Sequence, residues 1–346
     1  MANYGTAVYK SNGVALVNQG LAGGTLYIDT VVMAVGYSQT FTYSNVPGGA
    51  YLRVMLVQAG AHTFSIGTNG SGQATVTFTY ASSYASSNQT IAFVFATQTN
   101  EPTYGVSLIN DAGERLVSTL YPVPEFLGTV TTSGSLASGY WTASTSLGAG
   151  RKRMILWKIP DTTYISFQGN CYVSDSVTGS YTLTCKSFTF GGSESISYAP
   201  VAYVFALTGL TAGSESYGMR VYNGSGAVTF CSGRQMMSLL KAQTYDFGYT
   251  LTISEMSGIT PILLLPSTTA QTGGSSSYFA GYDSMTGDPL YGYILYNYYG
   301  TFRKNGTVIY TAYDYVDAGN SWTPNDFYNG QDTGLLTVVS NSANYS

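Results

Sequence analysis

The sequence predicts an all-β protein made of tandem β-sandwich modules, in three related copies of which the third is divergent. Three observations carry this prediction. A Tyr-Gly phrase returns three times in one register, strand-like apolar runs follow it at matching places, and turn signals punctuate the chain at short intervals.

The phrase opens each copy. It reads Tyr4-Gly5…Val8-Tyr9…Gly13, then Tyr104-Gly105…Leu108-Ile109…Gly113, then Tyr217-Gly218…Val221-Tyr222…Gly226. Asn12, Asn110 and Asn223 fall in or just before the turn. The pattern predicts a hairpin: a short strand, a turn in which glycine is free to take positive φ, and a second strand at Leu16-Val17, Leu116-Val117 or Thr229-Phe230. The tyrosines stand 100 and 113 residues apart, the length of a small β-domain rather than of a solenoid repeat. Module boundaries are therefore expected at 1–101, 102–214 and 215–346. Tyr4, Tyr104 and Tyr217 read as packing residues whose hydroxyls bond within the sandwich.

Further elements align behind the hairpin. Arg53-Val-Met-Leu-Val57 lies 49 residues after Tyr4, Arg153-Met-Ile-Leu-Trp157 lies 49 after Tyr104, and Ile262-Leu-Leu-Leu265 comes at nearly the same place in the third copy. Such short apolar runs predict strands buried on both faces. Ala74-Thr-Val-Thr-Phe-Thr-Tyr80 and Tyr181-Thr-Leu-Thr-Cys185 alternate instead, which predicts strands with one wet face. Ile91-Ala-Phe-Val-Phe-Ala96 and Val201-Ala-Tyr-Val-Phe-Ala206 close the first two copies, and the third lacks that strand. Ser232 to Tyr245, with Met236, Met237, Leu239 and Leu240, tempts a helix assignment. The matching stretch of the second copy, Tyr121-Pro-Val-Pro-Glu125, would break a helix, so an extended segment is expected.

The third copy departs after residue 278. Tyr291 to Phe302 and Thr307 to Tyr315 are expected to pair as a hairpin around Lys304-Asn-Gly306, with aromatics on both strand faces. Two-sided aromatic strands imply cover on both sides, one of which another chain would provide. Tyr291, Tyr293, Tyr296, Tyr298, Tyr299 and Trp322 are therefore the candidate interaction surface. The polar tail from Asn320 to Ser346 shows no readable motif.

Composition narrows the function. Only 9% of the 346 residues are charged, while tyrosine supplies 32 and glycine 41. Surface polarity then comes from hydroxyls and amides, which suits packing against partners. With a net charge of −4 and no basic run beyond Arg151-Lys152-Arg153, nucleic-acid binding is not expected. No apolar window is long enough for a membrane-spanning helix, and Met1-Ala2-Asn3 enters the first phrase at once, leaving no room for a secretory leader.

Motifs for chemistry are thin, and no catalytic residue, cofactor or metal is expected. The single histidine, His62, lacks a G-x-S-x-G elbow, and no phosphate-cradling or dinucleotide loop occurs. Cys171, Cys185 and Cys231 read as reduced small hydrophobes, with a Cys171–Cys185 bridge left open. Asp283 and Asp288, and Asp314 and Asp317, read as turn-forming aspartates, with Asp326 and Asp332 following. Ca²⁺ binding by these loops, or a glycosidase pair among them, is the sharper alternative. Trp157 reads as core, whereas Trp141 and Trp322 are candidates for stacking on sugar rings.

The phrase Tyr-Gly-x-x-Val-Tyr-Asn-x-x-Gly, as it stands from Tyr217 to Gly226, resembles one found in virion proteins of tailed bacteriophages, often associated with the tail tip or tail fibre. Asp111 and Ser225 show that the turn itself varies. The resemblance implies a non-enzymatic structural role in the virion (tail tip, baseplate or fibre), synthesis in the host cytoplasm, and other virion proteins as partners. It also implies a homo-oligomer, with a trimer favoured because tail fibres commonly have three-fold symmetry. A head decoration protein is a variant of this expectation. A host-receptor or glycan-binding adhesin acting through the third module is the alternative.

Overall fold

The computed structural model describes residues 8–9, 15–17, 26–33, 38–57, 62–80, 89–100, 108–109, 115–189, 193–211, 219–237, 241–245, 250–265, 270–272, 279–282, 289–321 and 335–345. Among these residues the chain is all-β, with three short 3-10 turns and no α-helix. One set of strands occurs three times: a two-stranded hairpin, a leading ladder of three strands, and a second ladder of three strands.

In the first unit the hairpin is β1 (Val8–Tyr9) with β2 (Ala15–Val17). Its leading ladder runs β3 (Leu26–Met33), β8 (Gln89–Ala96), β5 (Leu52–Leu56), and its second ladder β4 (Ser38–Pro47), β7 (Gln73–Tyr80), β6 (His62–Thr68). The second unit repeats the order. Its hairpin is β9 (Leu108–Ile109) with β10 (Arg115–Val117), its leading ladder β11 (Glu125–Thr131), β18 (Val201–Ala206), β14 (Arg153–Lys158). Its second ladder is β13 (Tyr140–Thr145), β17 (Tyr181–Thr189), β15 (Ile165–Gly169), with β12 (Ser133–Ser135) added beside β13, while β16 (Tyr172–Val173) pairs with β14 of the leading ladder. The third unit has β19 (Arg220–Tyr222) with β20 (Val228–Cys231), then β21 (Lys241–Tyr245), β28 (Leu335–Asn341), β23 (Pro261–Leu263). Its second ladder is β22 (Thr250–Thr252), β27 (Val308–Ser321), β26 (Pro289–Asn305), and β26 also carries β24 (Ala270–Thr272) and β25 (Phe279–Tyr282). Every pairing between these strands is antiparallel.

Two expectations change here. The third unit does possess a closing strand: β28 takes the middle of its leading ladder, the place held by β8 and β18. It lies in the tail that carried no readable motif, displaced along the chain by the long β26–β27 hairpin. The units also do not form a string. Trp157 of β14 pairs with Leu263 of β23, and Phe167 of β15 pairs with Phe302 of β26, so the ladders of the second and third units fuse into two continuous sheets. The first unit touches both others: Phe93 packs edge-on against Tyr172 at 5.5 Å, and β5 runs beside β28.

Alternation within the leading ladders explains this arrangement. In β8 and β18, Ala92, Val94, Ala202 and Val204 join the cluster that faces the second ladders, with Val76, Phe78, Leu183 and Cys185. The intervening Phe93, Phe95, Tyr203 and Phe205 face the other way, into a cluster drawn from all three units that includes Met55, Met154, Leu156, Ile262 and Leu264. β8, β14 and β18 thus have no wet face, which is why their sequences are nearly unbroken apolar runs. Strands of the second ladders keep the period of two: Ala74, Val76 and Phe78 are buried, and the threonines between them are not.

Units are also joined by main chain. The segment after the second hairpin adds to β3, with the Tyr27 amide donating to the Pro122 carbonyl at 2.9 Å. The segment after the third hairpin adds to β11: Phe126 N–H donates to the Gln235 carbonyl at 2.7 Å and Met237 N–H to the Pro124 carbonyl at 2.8 Å. Glu125 and Met236 are directly opposed in this antiparallel contact. Pro122 and Pro124 accept bonds here and have no amide to leave unpaired, which suits a crossing segment. The hairpins stack in turn, since Thr229 Oγ1 donates to the Ser118 carbonyl at 2.7 Å.

Candidate functional site

Tyr291, Tyr293, Tyr296, Tyr298 and Tyr299 all lie in β26, where the backbone pairs Tyr291 with Ala280 of β25 and Tyr296 with both Thr272 of β24 and Ala318 of β27. The expected hairpin is present, with Asn305 opposite Val308 at its turn. Trp322 lies outside the described residues, as do Asp283, Asp288, Asp326, Asp332, Tyr4, Tyr104 and Tyr217. Asp314 and Asp317 are not in a turn: they sit within β27 opposite Tyr299 and Asn297. The flanking Tyr, Val and Thr residues carry the strand through them to Ser321.

Trp141 is a further correction. It is buried in the core, so it offers no face to a sugar, and its indole N–H has no acceptor among the described residues. The exposed ring is its neighbour Tyr140, with the Lys186 ammonium 5.8 Å from the ring centroid. Trp157 is fully buried as expected, and its indole donates to the Asn170 carbonyl at 2.7 Å. Gly169 makes room for that ring: a Cβ there would fall 2.4 Å from the indole nitrogen.

The three cysteines are buried and free, so Cys171 and Cys185 are not bridged. Cys171 instead donates weakly to the Val57 carbonyl of the first unit at 3.4 Å. Burial pushes the Cys185 thiol well above its ordinary range, which keeps it protonated and unreactive. His62 begins β6 opposite Tyr80. Among the described residues no group of three or more His, Cys, Asp or Glu side chains is placed to hold a metal ion.

The structure instead concentrates charge where units meet. Glu125, at the start of β11, is buried and takes Arg151 at 2.5 Å and Arg234 of the third unit at 3.6 Å, with Thr211 donating to its second oxygen side at 3.3 Å. Lys304 of β26 is buried against Asp161 of the second unit at 2.5 Å, and Asp161 also accepts the Gly306 amide at 2.8 Å. Arg303 alongside donates to the Thr163 carbonyl. The basic run Arg151-Lys152-Arg153 therefore serves the interior in part. Arg153 is fully buried, donates to the Ser174 and Val177 carbonyls, and holds its guanidinium 4.7 Å from the centroid of the Tyr181 ring. Sequence spacing held no sign of the Glu125 and Asp161 contacts, whose partners are remote along the chain. The shared position of Arg53 and Arg153 at the head of β5 and β14 was the one visible signal.

These groups hold surfaces together. Comparison with protein-family models, with curated proteins and with solved structures finds no match. No helix among the described residues is long and apolar enough to cross a membrane.

Proposed function

We propose that this chain is a non-enzymatic structural protein of a phage virion, placed at the tail tip, baseplate or fibre and acting by protein–protein contact. One observation carries the reading: all three units give residues of their leading ladders to a common apolar centre, and the second and third each pass a main-chain segment to the unit before. A chain built this way is a rigid block whose remaining surface, poor in charge and rich in tyrosine, is suited to packing against other virion proteins. Mass spectrometry of purified virions, with antibody labelling in electron micrographs, tests it. The chain is expected in the particle at the tail; its absence from virions would overturn the proposal.

A second reading is favoured by the third unit alone. β26 and β27 run 17 and 14 residues, against 7 and 8 for β6 and β7 at the same places in the first unit. With β24 and β25 added, this sheet projects an element that the other units lack. An adhesin that contacts a host receptor or glycan through Tyr291–Tyr299 would use it. Binding of the full chain to host cells, reduced by Tyr293→Ala with Tyr299→Ala, is the expected result on that reading.

A further inference from the structure

We propose that Asn305, at the tip of the β26–β27 hairpin, is a site of spontaneous modification, where the Gly306 amide nitrogen attacks the asparagine carboxamide and the residue becomes aspartyl or isoaspartyl. The proposal is independent of the virion reading. It rests on a comparison of equivalent turns and on the contacts this turn makes with the second unit.

Three Asn-Gly pairs lie among the described residues: Asn69-Gly70, Asn223-Gly224 and Asn305-Gly306. A glycine after asparagine has no side chain to block the approach of its main-chain nitrogen to the asparagine Cγ. The first two carboxamides are committed elsewhere. Asn69 Oδ1 accepts the Ser71 and Gln73 amides at 3.0 and 2.9 Å, and its Nδ2 donates to Gln73 Oε1 at 2.9 Å. Asn223 Oδ1 accepts the Ser225 and Ala227 amides at 3.0 and 2.9 Å and the Ser225 hydroxyl at 2.7 Å. Asn170, which follows β15 as Asn69 follows β6, likewise accepts the Thr184 amide at 2.6 Å. In each case the side chain closes its own turn.

Asn305 holds the corresponding place in the third unit, but its turn has only two residues and is closed by the pairing of Asn305 with Val308. The side chain is exposed and its carboxamide has no hydrogen-bond partner among the described residues. The attacking group is also prepared. Gly306 N–H donates to Asp161 Oδ1 at 2.8 Å, so the proton to be lost already touches a carboxylate.

In the first step the Gly306 nitrogen bonds to Asn305 Cγ as its proton passes to Asp161. The Cγ–Nδ2 bond breaks, and Nδ2 takes that proton and leaves as ammonia. Water then opens the five-membered imide at either carbonyl, giving aspartate or isoaspartate. An isoaspartyl link inserts one extra carbon into the main chain between Lys304 and Gly306. Those residues hold the seam to the second unit: Lys304 pairs with Asp161, and its carbonyl accepts the Thr162 amide at 2.8 Å. Conversion at this tip therefore loosens that seam as the protein ages.

Incubation of the full wild-type chain in mildly alkaline buffer, with peptide mass spectrometry and isoaspartyl methyltransferase labelling, tests this. The Asn305 peptide is expected to convert at least about tenfold faster than those of Asn69 and Asn223, whose ring closure must first break several hydrogen bonds. Asp161→Asn, which removes the proton acceptor, is expected to slow conversion about tenfold. Persistence of Asn305 while Asn69 or Asn223 converts, or equal rates at the three sites, would overturn the proposal. An undiminished rate in Asp161→Asn would overturn it equally, because the reaction would then owe nothing to the contact with the second unit.

Discussion

The junction between the first and second units and the junction between the second and third use the same main-chain device with different side chains. At the first, the Tyr27 amide donates to the Pro122 carbonyl, and the contact is completed by Phe93 on Tyr172 and by Cys171 on Val57. At the second, the Phe126 amide donates to the Gln235 carbonyl, and Glu125 and Asp161 add ion pairs to Arg234 and Lys304. The difference teaches which part is architecture and which is local solution. Strand passing is common to both, so it sets the geometry. The apolar or ionic filling is free to vary once that geometry is set. It also makes the two junctions fail differently. Apolar packing loses dispersion and transfer energy when truncated, whereas a buried ion pair leaves an uncompensated charge.

Removing one filling at a time sharpens this comparison. Glu125→Ala strands Arg151 and Arg234 beside a buried gap and is expected to cost about 3–5 kcal/mol in denaturant unfolding. Glu125→Gln, which keeps the shape and loses the charge, should recover part of that loss. Phe93→Ala is expected to cost about 3–4 kcal/mol and to raise exchange at 121–123 more than at 235–237. Equal loss of protection at both segments would break the idea that the junctions are filled independently. A third test uses alkali. Burial pushes the hydroxyls of Tyr27, Tyr43 and Tyr181 above the ordinary tyrosine range and Tyr198 up to about 12. The folded chain then holds protons that the unfolded chain releases from about pH 10 upward, so stability is intact below pH 10 and falls above it. Tyrosinate absorbance from these residues should appear together with unfolding rather than before it. Thr229→Val removes the hydroxyl that bridges the second and third hairpins and is expected to cost about 1 kcal/mol. Asp161→Asn should matter least, under about 1 kcal/mol, because the carboxylate is more than half exposed and water screens its bond to Lys304.

Much of the fold was legible because it obeys short-range rules. The alternation of Ala74 to Tyr80 produced a one-faced strand, the runs ending at Ala96 and Ala206 produced strands buried on both faces, and the Tyr-Gly phrase produced three hairpins. β28 escaped because Leu335-Leu-Thr-Val-Val339 is a short run that follows the long third-unit hairpin, so spacing from Tyr217 no longer located it. Trp141 was misread from its neighbours. Tyr140 and Thr142 are exposed, and the strand's period of two should have turned the residue between them inward. The partners of Glu125 and Asp161 were not legible at all, since no local periodicity encodes which remote cation the ladders bring alongside. The same limit applied to the apolar centre that all three units share. Three copies in sequence say nothing of whether they lie in a line or around a centre.

The crossing segments have a mechanical consequence. Pro122 is bonded to the first unit's leading strand only three residues before the second unit's own begins, and Gln235 and Met237 bond to the second unit in the same way one step on. A force that separates two units therefore cannot act on side-chain contacts alone. It must pull main-chain bonds out of a ladder while the covalent chain on one side stays anchored in its own sheet. Such a block resists prying apart at its seams and passes tension from one sheet into the next.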